Sequence, residues 1–516
     1  MGSTSRWLLV AALGLGLAVL LWRAAGVPGS GEMLTVGPEG RALQPCGSAC
    51  SGCMPSLLRR HVRRLQWRLA TEVREPERPT MAGKGLQVTT ILTGLTTPIA
   101  LARLGAGDWL VLERTTGRVR RVSAGGRVVG TVLDLAVNSY GERGALGIAS
   151  HPGFPQPPYV YVYWTWIGWG EGANGLEGPD DVEARAVDPM GNRLDRFIWN
   201  GTRLIFDRNL LRLPARTHSA YGRVRGDHNG GVIRWGPDGK LYTVIGDQNL
   251  RGWLQNVRNG FPPTDGRLAG VILRLNEDGS TPTDNPFYRY GAEIGGEVGR
   301  NLQRIYAYGI RNSFGMAFDP DSGFLWMSEN GDNTFDEVNI VPPGFNSRWV
   351  QIMGPDGCFE AFRDHEGETS DGLDTPEFTP ADLAPTVEEA KRRLYQLPGS
   401  RPLEPLFAWR YPVAPTAVAF VHQAPPGHEL RDAVLVADLL GRIYRFRLRA
   451  DRRGLVFADR RLADGVDDNW RDFRLRESDS LVVGRGFGLI TDMQPGPSGD
   501  LYVVSMTQGA IYRITR

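Results

Sequence analysis

A phrase that recurs along this chain constrains its fold more than any other feature. WGPDGKLYTVIGD (235–247), FDPDSGFLWMSENGD (318–332) and QPGPSGDLYVVSM (494–506) each set proline, an acidic or serine residue and then glycine between two apolar runs. That is the chemistry of a β-hairpin turn. Weaker copies are RLGAGDWLVLERTTG (103–117), ASHPGFPQPPYVYVYW (149–164) and HELRDAVLVADLLG (428–441). A further strand follows in GRVRRVSAGG (117–126), GVILRLNEDG (270–279), GRIYRFRLRADRRG (441–454) and GAIYRITR (509–516). There glycine opens the strand and polar residues, often arginine, alternate with apolar ones, so one wet face and one buried face are expected. Six units result, near 95–135, 142–213, 228–280, 305–345, 415–462 and 488–516. Small sheets repeated in this way read as an all-β, six-bladed β-propeller spanning 88–516. Two stacked β-sandwiches would also show many short strands, but not a repeated phrase. The segments 165–195, 250–268 and 354–405 are long insertions, where a rigid scaffold usually carries its binding surfaces.

Composition enters mainly as exclusion. With 59 basic and 57 acidic side chains in 516 residues, no whole-protein field attracts nucleic acid. Four cysteines, Cys46, Cys50, Cys53 and Cys358, are too few to staple a domain of this size, so packing must supply the core.

The N-terminus reads separately. Residues 1–27 hold the apolar run Trp7–Trp22 between Arg6 and Arg23. Its helix would rise about 24 Å, slightly short of a bilayer core. It is either a signal peptide cut after Gly26 or an uncleaved signal anchor, and Arg23 fits poorly in a cleavage region. Both readings export the bulk of the chain to the periplasm or the extracellular side, the second with a membrane anchor. The downstream arginines, from Arg59 on, lie too far along to reverse that orientation. Residues 28–87 form a linker with the cysteine trio and a short basic amphipathic helix. In that helix Leu58, Val62, Leu65 and Leu69 fall at helical spacing. It either docks on the main domain or lies on anionic lipid. Cys46, Cys50 and Cys53 suit a disulfide with a spare thiol; a metal site would need His61 or Cys358 as fourth ligand.

Hairpin register then places the polar residues. Counting outward from the turn at Asp238–Gly239 brings His228 level with Asp247, Gln248 and Asn249. From the turn at Asp321–Ser322, Arg311 and Asn312 come level with Asn330, Gly331 and Asp332, while Glu142 and Arg143 open the corresponding strand of the second unit. Around one axis these groups converge on a funnel. A histidine held by a buried aspartate keeps one tautomer and can act as a general base. Arg311 suits an anionic cofactor or developing negative charge. Asp336, Glu337 and the Gly331–Asp332 turn offer the oxygen ligands that Ca²⁺ prefers. Each has a bland counterpart: a structural histidine, solvated loop carboxylates, an arginine on backbone carbonyls.

DHNGGVIRWGPDGKLYTVIGDQN (227–249), YAYGIRNSFGMAFDPDSGFLWMSENGDNTFDEVN (306–339) and GERGALGIASHPGF (141–154) resemble segments of the soluble quinoprotein glucose dehydrogenases and aldose sugar dehydrogenases. The similarity runs over roughly 90–516 and implies a six-bladed propeller. It implies His228 as the base for the anomeric hydroxyl of an aldose, oriented by Asp247, with Glu142 also in the catalytic set. Hydride would pass to pyrroloquinoline quinone (PQQ), flanked by Arg311, Asn312 and Gln248. Ca²⁺ would be held by the carbonyls of Gly331 and Asp332, with Asp336 and Glu337 near, and electrons would go on to a quinone or cytochrome. The sequence departs from the family pattern at several points. Glu142 replaces a glutamine, Asp332 a proline, and NSRWV (346–350) the turn NYGWP. The lysine expected near Leu439 and the arginines expected near Leu489 and Thr491 are missing. Those cations grip the PQQ carboxylates, and Arg410, Arg442 or Arg485 are the residues that could compensate. A propeller that only binds carbohydrate or a protein, and a Ca²⁺-dependent lactone hydrolase, are the competing readings.

Overall fold

The computed structural model describes residues 78–516, apart from 84, 106, 169–186, 219–223, 261, 263–267, 368–381, 422–427, 469–475 and 497. The expected signal or anchor helix, the cysteine trio and the basic amphipathic helix lie outside the described residues. Among those described, no helix is long and apolar enough to cross a membrane.

Each hairpin phrase folds as two antiparallel strands, and the fold is an all-β propeller. Among the described residues there are six sheets of four to six strands and one isolated two-stranded ribbon. Their inner strands are Pro98–Gly105, Ala145–Ser150, Ile233–Trp235, Gly315–Phe318, Pro415–Phe420 and Ile490–Pro495. Each inner strand packs on the next, and the sixth packs on the first, so the ring closes. The closing sheet combines both ends of the body: Gln87–Leu92 pairs antiparallel with Ala510–Thr515, Gln87 opposite Thr515.

One hydrogen bond recurs in every sheet. The amides of Arg114, Thr165, Gly246, Asn330, Leu439 and Met506, at the ends of the second strands, donate to the carbonyls of Thr97, Gly144, His228, Asn312, Ala414 and Leu489. These six pairs mark equivalent positions, and together they form the rim of one mouth.

Packing is two-sided. The second strands Leu241–Ile245, Leu325–Glu329 and Ala433–Asp438 are buried throughout. Between the fourth and fifth sheets, Trp326, Trp409, Phe407, Tyr444 and Phe446 form one apolar cluster; full burial of such a side chain contributes about 1.5–3 kcal/mol. The wet face expected on the third strands is not found in the third sheet. Val271–Leu275 is buried on both faces, because a neighbouring sheet covers the side that alternation assigns to solvent. Its Arg274 meets the carboxylates of Asp238 and Asp284 instead of water. Two helices, Tyr288–Ile294 and Gly296–Arg304, also fill a stretch that the strand pattern does not mark.

Below the mouth the axis is crossed by an ion pair. Arg234 of the third sheet donates Nη2 to Asp492 Oδ1 of the sixth at 2.9 Å, and its Nε bonds Met316 O of the fourth at 2.9 Å. Asp492 Oδ2 accepts the Leu101 amide of the first sheet at 3.0 Å. The third and sixth sheets stand opposite in the ring, so this clasp spans it.

Candidate functional site

The loop Asp227–Gly231 enters the third sheet at the mouth, with His228 in the left-handed region at φ 56°. The second strand returns to Gly246, where a Cβ would fall 2.7 Å from Arg311 O and 2.8 Å from His228 Cβ. Only glycine permits that approach. It brings His228 Nδ1 to 2.5 Å from Asp247 Oδ1. Asp247 is fully buried. It also accepts Trp349 Nε1 at 2.7 Å and the Asn249 amide at 3.0 Å, and its own amide donates to Arg311 O at 2.7 Å. Burial opposes its ionisation, but the charge and hydrogen bond of His228, with Arg311, hold it below the usual carboxylate value. An ionised Asp247 accepts the hydrogen bond of Nδ1–H and keeps the proton on that nitrogen, which leaves Nε2 as the ring nitrogen for chemistry. For His228, burial and Arg311 work against protonation. Asp247, by charge and hydrogen bond, and then Glu142 outweigh them and lift it to about 9.

Glu142 is a clamp in this geometry. Its Oε2 accepts the His228 amide at 2.6 Å and Asn312 Nδ2 at 3.4 Å. Burial, then the neighbouring Asp227, raise its pKa. Gln248, expected at the cofactor, turns underneath: its Nε2 donates to Pro214 O at 2.6 Å and to Asn229 Oδ1 at 3.0 Å. That amide braces the loop that carries His228.

In the fourth sheet the Arg311 amide donates to Glu329 Oε1 at 2.7 Å. Its guanidinium donates Nη1 to Gly331 O at 2.7 Å and to Asn330 O at 3.3 Å, and Nη2 to Asp332 Oδ1 at 2.6 Å. It lies 5.5 Å from the centre of the Trp349 ring, which joins it to the His228–Asp247 pair.

The carboxylates expected at a metal serve the backbone instead. Asp336 accepts the amides of Gly331, Val413 and Ala414 at 2.9, 2.6 and 2.8 Å; burial nonetheless lifts it to about 6. Glu337 accepts the Gly354 amide at 2.6 Å and Asn339 Nδ2 at 2.9 Å. Among the described residues no group of three or more His, Cys, Asp or Glu side chains is placed to hold a metal ion. Cys358 is disulfide-bonded, so its thiolate is not available as a fourth ligand to the cysteine trio.

Several residues at the site carry no sequence signal of their own. Trp349 stands out only as part of a departing turn. Arg114 donates Nη1 to Gly141 O and Arg143 O at 2.8 and 2.7 Å. Glu329 is fully buried, accepts Ser347 Oγ on its second oxygen, and is held well above the usual value by burial and then Glu337. Glu366, on the helix Phe359–Gly367, accepts the amides of Asn333 and Thr334 at 2.9 and 3.0 Å. An acidic residue separated by some 30 positions from the groups it touches leaves no local pattern.

The rim is chemically divided. Asn249 Nδ2 and Oδ1, Asn312 Oδ1 and Asn330 Oδ1 are buried with no hydrogen-bond partner among the described residues, a state that favours a polar ligand. The side formed by the fifth and sixth sheets presents Ala414, Leu439 and Leu489 at the equivalent positions. Arg442 is committed to Asp438 at 2.6 Å and Arg485 to Asp479 at 3.2 Å. Arg410 carries its guanidinium 5.7 Å from the centre of the Tyr411 ring. Its carbonyl accepts the Phe335 amide and Thr334 Oγ1, so it adjoins the loop beneath Arg311.

Residues 95–381 match the family model described as glucose/sorbosone dehydrogenase. A curated relative, quinoprotein glucose dehydrogenase B of Acinetobacter calcoaceticus, is 31% identical over 51% of this chain and 52% of its own length. The chain thus spans about half of that relative. Among solved structures, a glucose dehydrogenase-type oxidoreductase of Thermus thermophilus is 28% identical with a TM-score of 0.56, covering 84% of this chain and 100% of its own. The PQQ-bound aldose sugar dehydrogenase of Streptomyces coelicolor is 22% identical with a TM-score of 0.53, over 84% and 99%, a likeness of fold.

Proposed function

From the premise that this chain belongs to the glucose/sorbosone dehydrogenase family, we propose that it oxidises an aldose to its lactone, with His228 as general base and PQQ as hydride acceptor. Each of the six sheets counts as one blade in this reading. The observation that carries it is the His228–Asp247 pair at 2.5 Å, joined through Trp349 to Arg311 at the same mouth. When bound, PQQ supplies the two-electron acceptor that side chains lack. On the polar side of the rim Arg311 and Asn312 would flank the quinone, and Arg410 would be the cation to meet a carboxylate. The unpartnered amide oxygens of Asn249, Asn312 and Asn330 suit sugar hydroxyls, which are donors.

The chain's own work is proton transfer and orientation. Nε2 of His228 takes the proton of the anomeric hydroxyl, and Asp247 fixes the tautomer and stabilises the imidazolium. Glu142 holds the His228 backbone, and Arg311 balances negative charge that develops at the reacting oxygen. The onward acceptor is a quinone or cytochrome on the periplasmic or extracellular side, whether the apolar run Trp7–Trp22 serves as a cleaved signal or as an anchor.

The deciding experiment adds PQQ to the purified protein and follows dye reduction with a panel of aldoses, with and without Ca²⁺. Loss of dye reduction together with no saturable PQQ binding by calorimetry would leave a propeller that only binds carbohydrate or protein. A pH profile gives a second check. A base must be neutral to act, and His228 is protonated below about 9. kcat/KM is therefore expected to rise with pH through a limb near that value; a plateau already complete at pH 7 would contradict the assignment.

A further inference from the structure

We infer that the guanidinium of Arg311 is the resident cation of this site, seated on Gly331 O and the Asp332 carboxylate where the family reading would put calcium. The inference rests on the sugar dehydrogenase reading, because only there is a divalent ion expected.

The side-chain oxygens expected at calcium, and the carbonyl of Gly331, are already hydrogen-bonded. Calcium gathers roughly six to eight oxygens, and the expected set is Gly331, Asp332, Asp336 and Glu337. Gly331 O takes Nη1 of Arg311 at 2.7 Å, and Asp332 Oδ1 takes Nη2 at 2.6 Å. Asp336 divides its two oxygens among three backbone amides, and Glu337 gives one to the Gly354 amide and one to Asn339. The neighbouring acid Glu366 accepts the Asn333 and Thr334 amides on one oxygen and Asn333 Nδ2 at 3.0 Å on the other. The second oxygen of Asp332 accepts Asn333 Nδ2 at 3.3 Å.

Arg311 is also fixed too firmly to act as a passing occupant. Its side chain is 6% exposed, its amide is held by Glu329, and its charge sits against the Trp349 ring. A divalent ion entering beside it would meet a permanent positive charge at near contact in a poorly screened interior. Asp332 supplies the reason that this chain can differ from the glucose enzymes. Proline, which they carry at this position, has no charge with which to hold an arginine; aspartate does.

The test is calcium alone, without PQQ or sugar. CaCl₂ is titrated into EDTA-stripped protein by calorimetry, and melting is compared in millimolar Ca²⁺ and in EDTA. We expect no saturable heat and coincident melting curves. Arg311→Met, which opens Gly331 O and frees Asp332, is expected to gain a calcium-dependent rise in Tm, while Arg311→Lys stays indifferent. A saturable heat in the wild-type protein that Asp332→Asn removes would overturn the inference, and that measurement stands even where Arg311→Met fails to fold. The outcome separates from the function itself: dye reduction that requires Ca²⁺ sinks this inference alone, whereas no dye reduction under any condition sinks the dehydrogenase reading and leaves the calcium result intact.

Discussion

His228→Asn is expected to slow PQQ-dependent dye reduction about 10²–10⁴-fold, the usual contribution of a positioned general base, and to lower the melting midpoint as well, because buried Asp247 loses its partner at 2.5 Å. Asparagine is the substitution that best preserves the backbone. Position 228 has φ 56°, a region where asparagine is comfortable and alanine is strained. The residue's amide still donates to Glu142 and its carbonyl still accepts from Gly246, so the rim keeps its shape. What disappears is a ring nitrogen able to take a proton. KM for the sugar should change far less than kcat, because the loss falls on the reacting step. Turnover within a few-fold of wild type would remove His228 from the mechanism.

Arg234→Met should be strongly destabilising although it lies outside the mouth. It leaves Asp492, 4% exposed at its side chain, as a buried carboxylate without its cation. Removing one partner of such a pair costs about 3–5 kcal/mol. The remaining bonds, from the Leu101 amide and from Gln494, stop short of neutralising the charge. Urea denaturation would read the loss as an earlier midpoint. The double variant Arg234→Met/Asp492→Asn should recover some of it, since the unpaired charge is then gone. A single variant within about 1 kcal/mol of wild type would show that the pair is solvated after all.

The repeated turn makes much of this architecture readable in advance. Pairing in the third sheet sets Trp235 opposite Leu241, and in the fourth Phe318 opposite Leu325, so the turns fall where proline, an acidic residue and glycine put them. Because strand register is rigid, those two turns also locate His228 against Asp247 and Arg311 against Gly331. What cannot be read is what depends on a third or fourth chain segment. The fourth strand of the third sheet, Ile305–Tyr308, falls by its sequence in the following unit, and the closing strand Gln87–Leu92 carries no turn phrase. Trp349 reaches Asp247 across 102 residues and Arg234 reaches Asp492 across 258; separations of that size leave no periodic trace. Asp336 and Glu337 look like ligands because acidic pairs in a loop often are. Their actual partners are mostly backbone amides, which no side-chain pattern announces.

The strand Gln87–Leu92 has one more consequence. A row of stacked repeats has two terminal members, each exposed on one side and prone to fraying. Here the last sheet is woven from the head and the tail of the body, so no member is terminal. Loosening any one of them must undo a pair of seams at once, and hydrogen exchange should find their amides opening as a single cooperative unit.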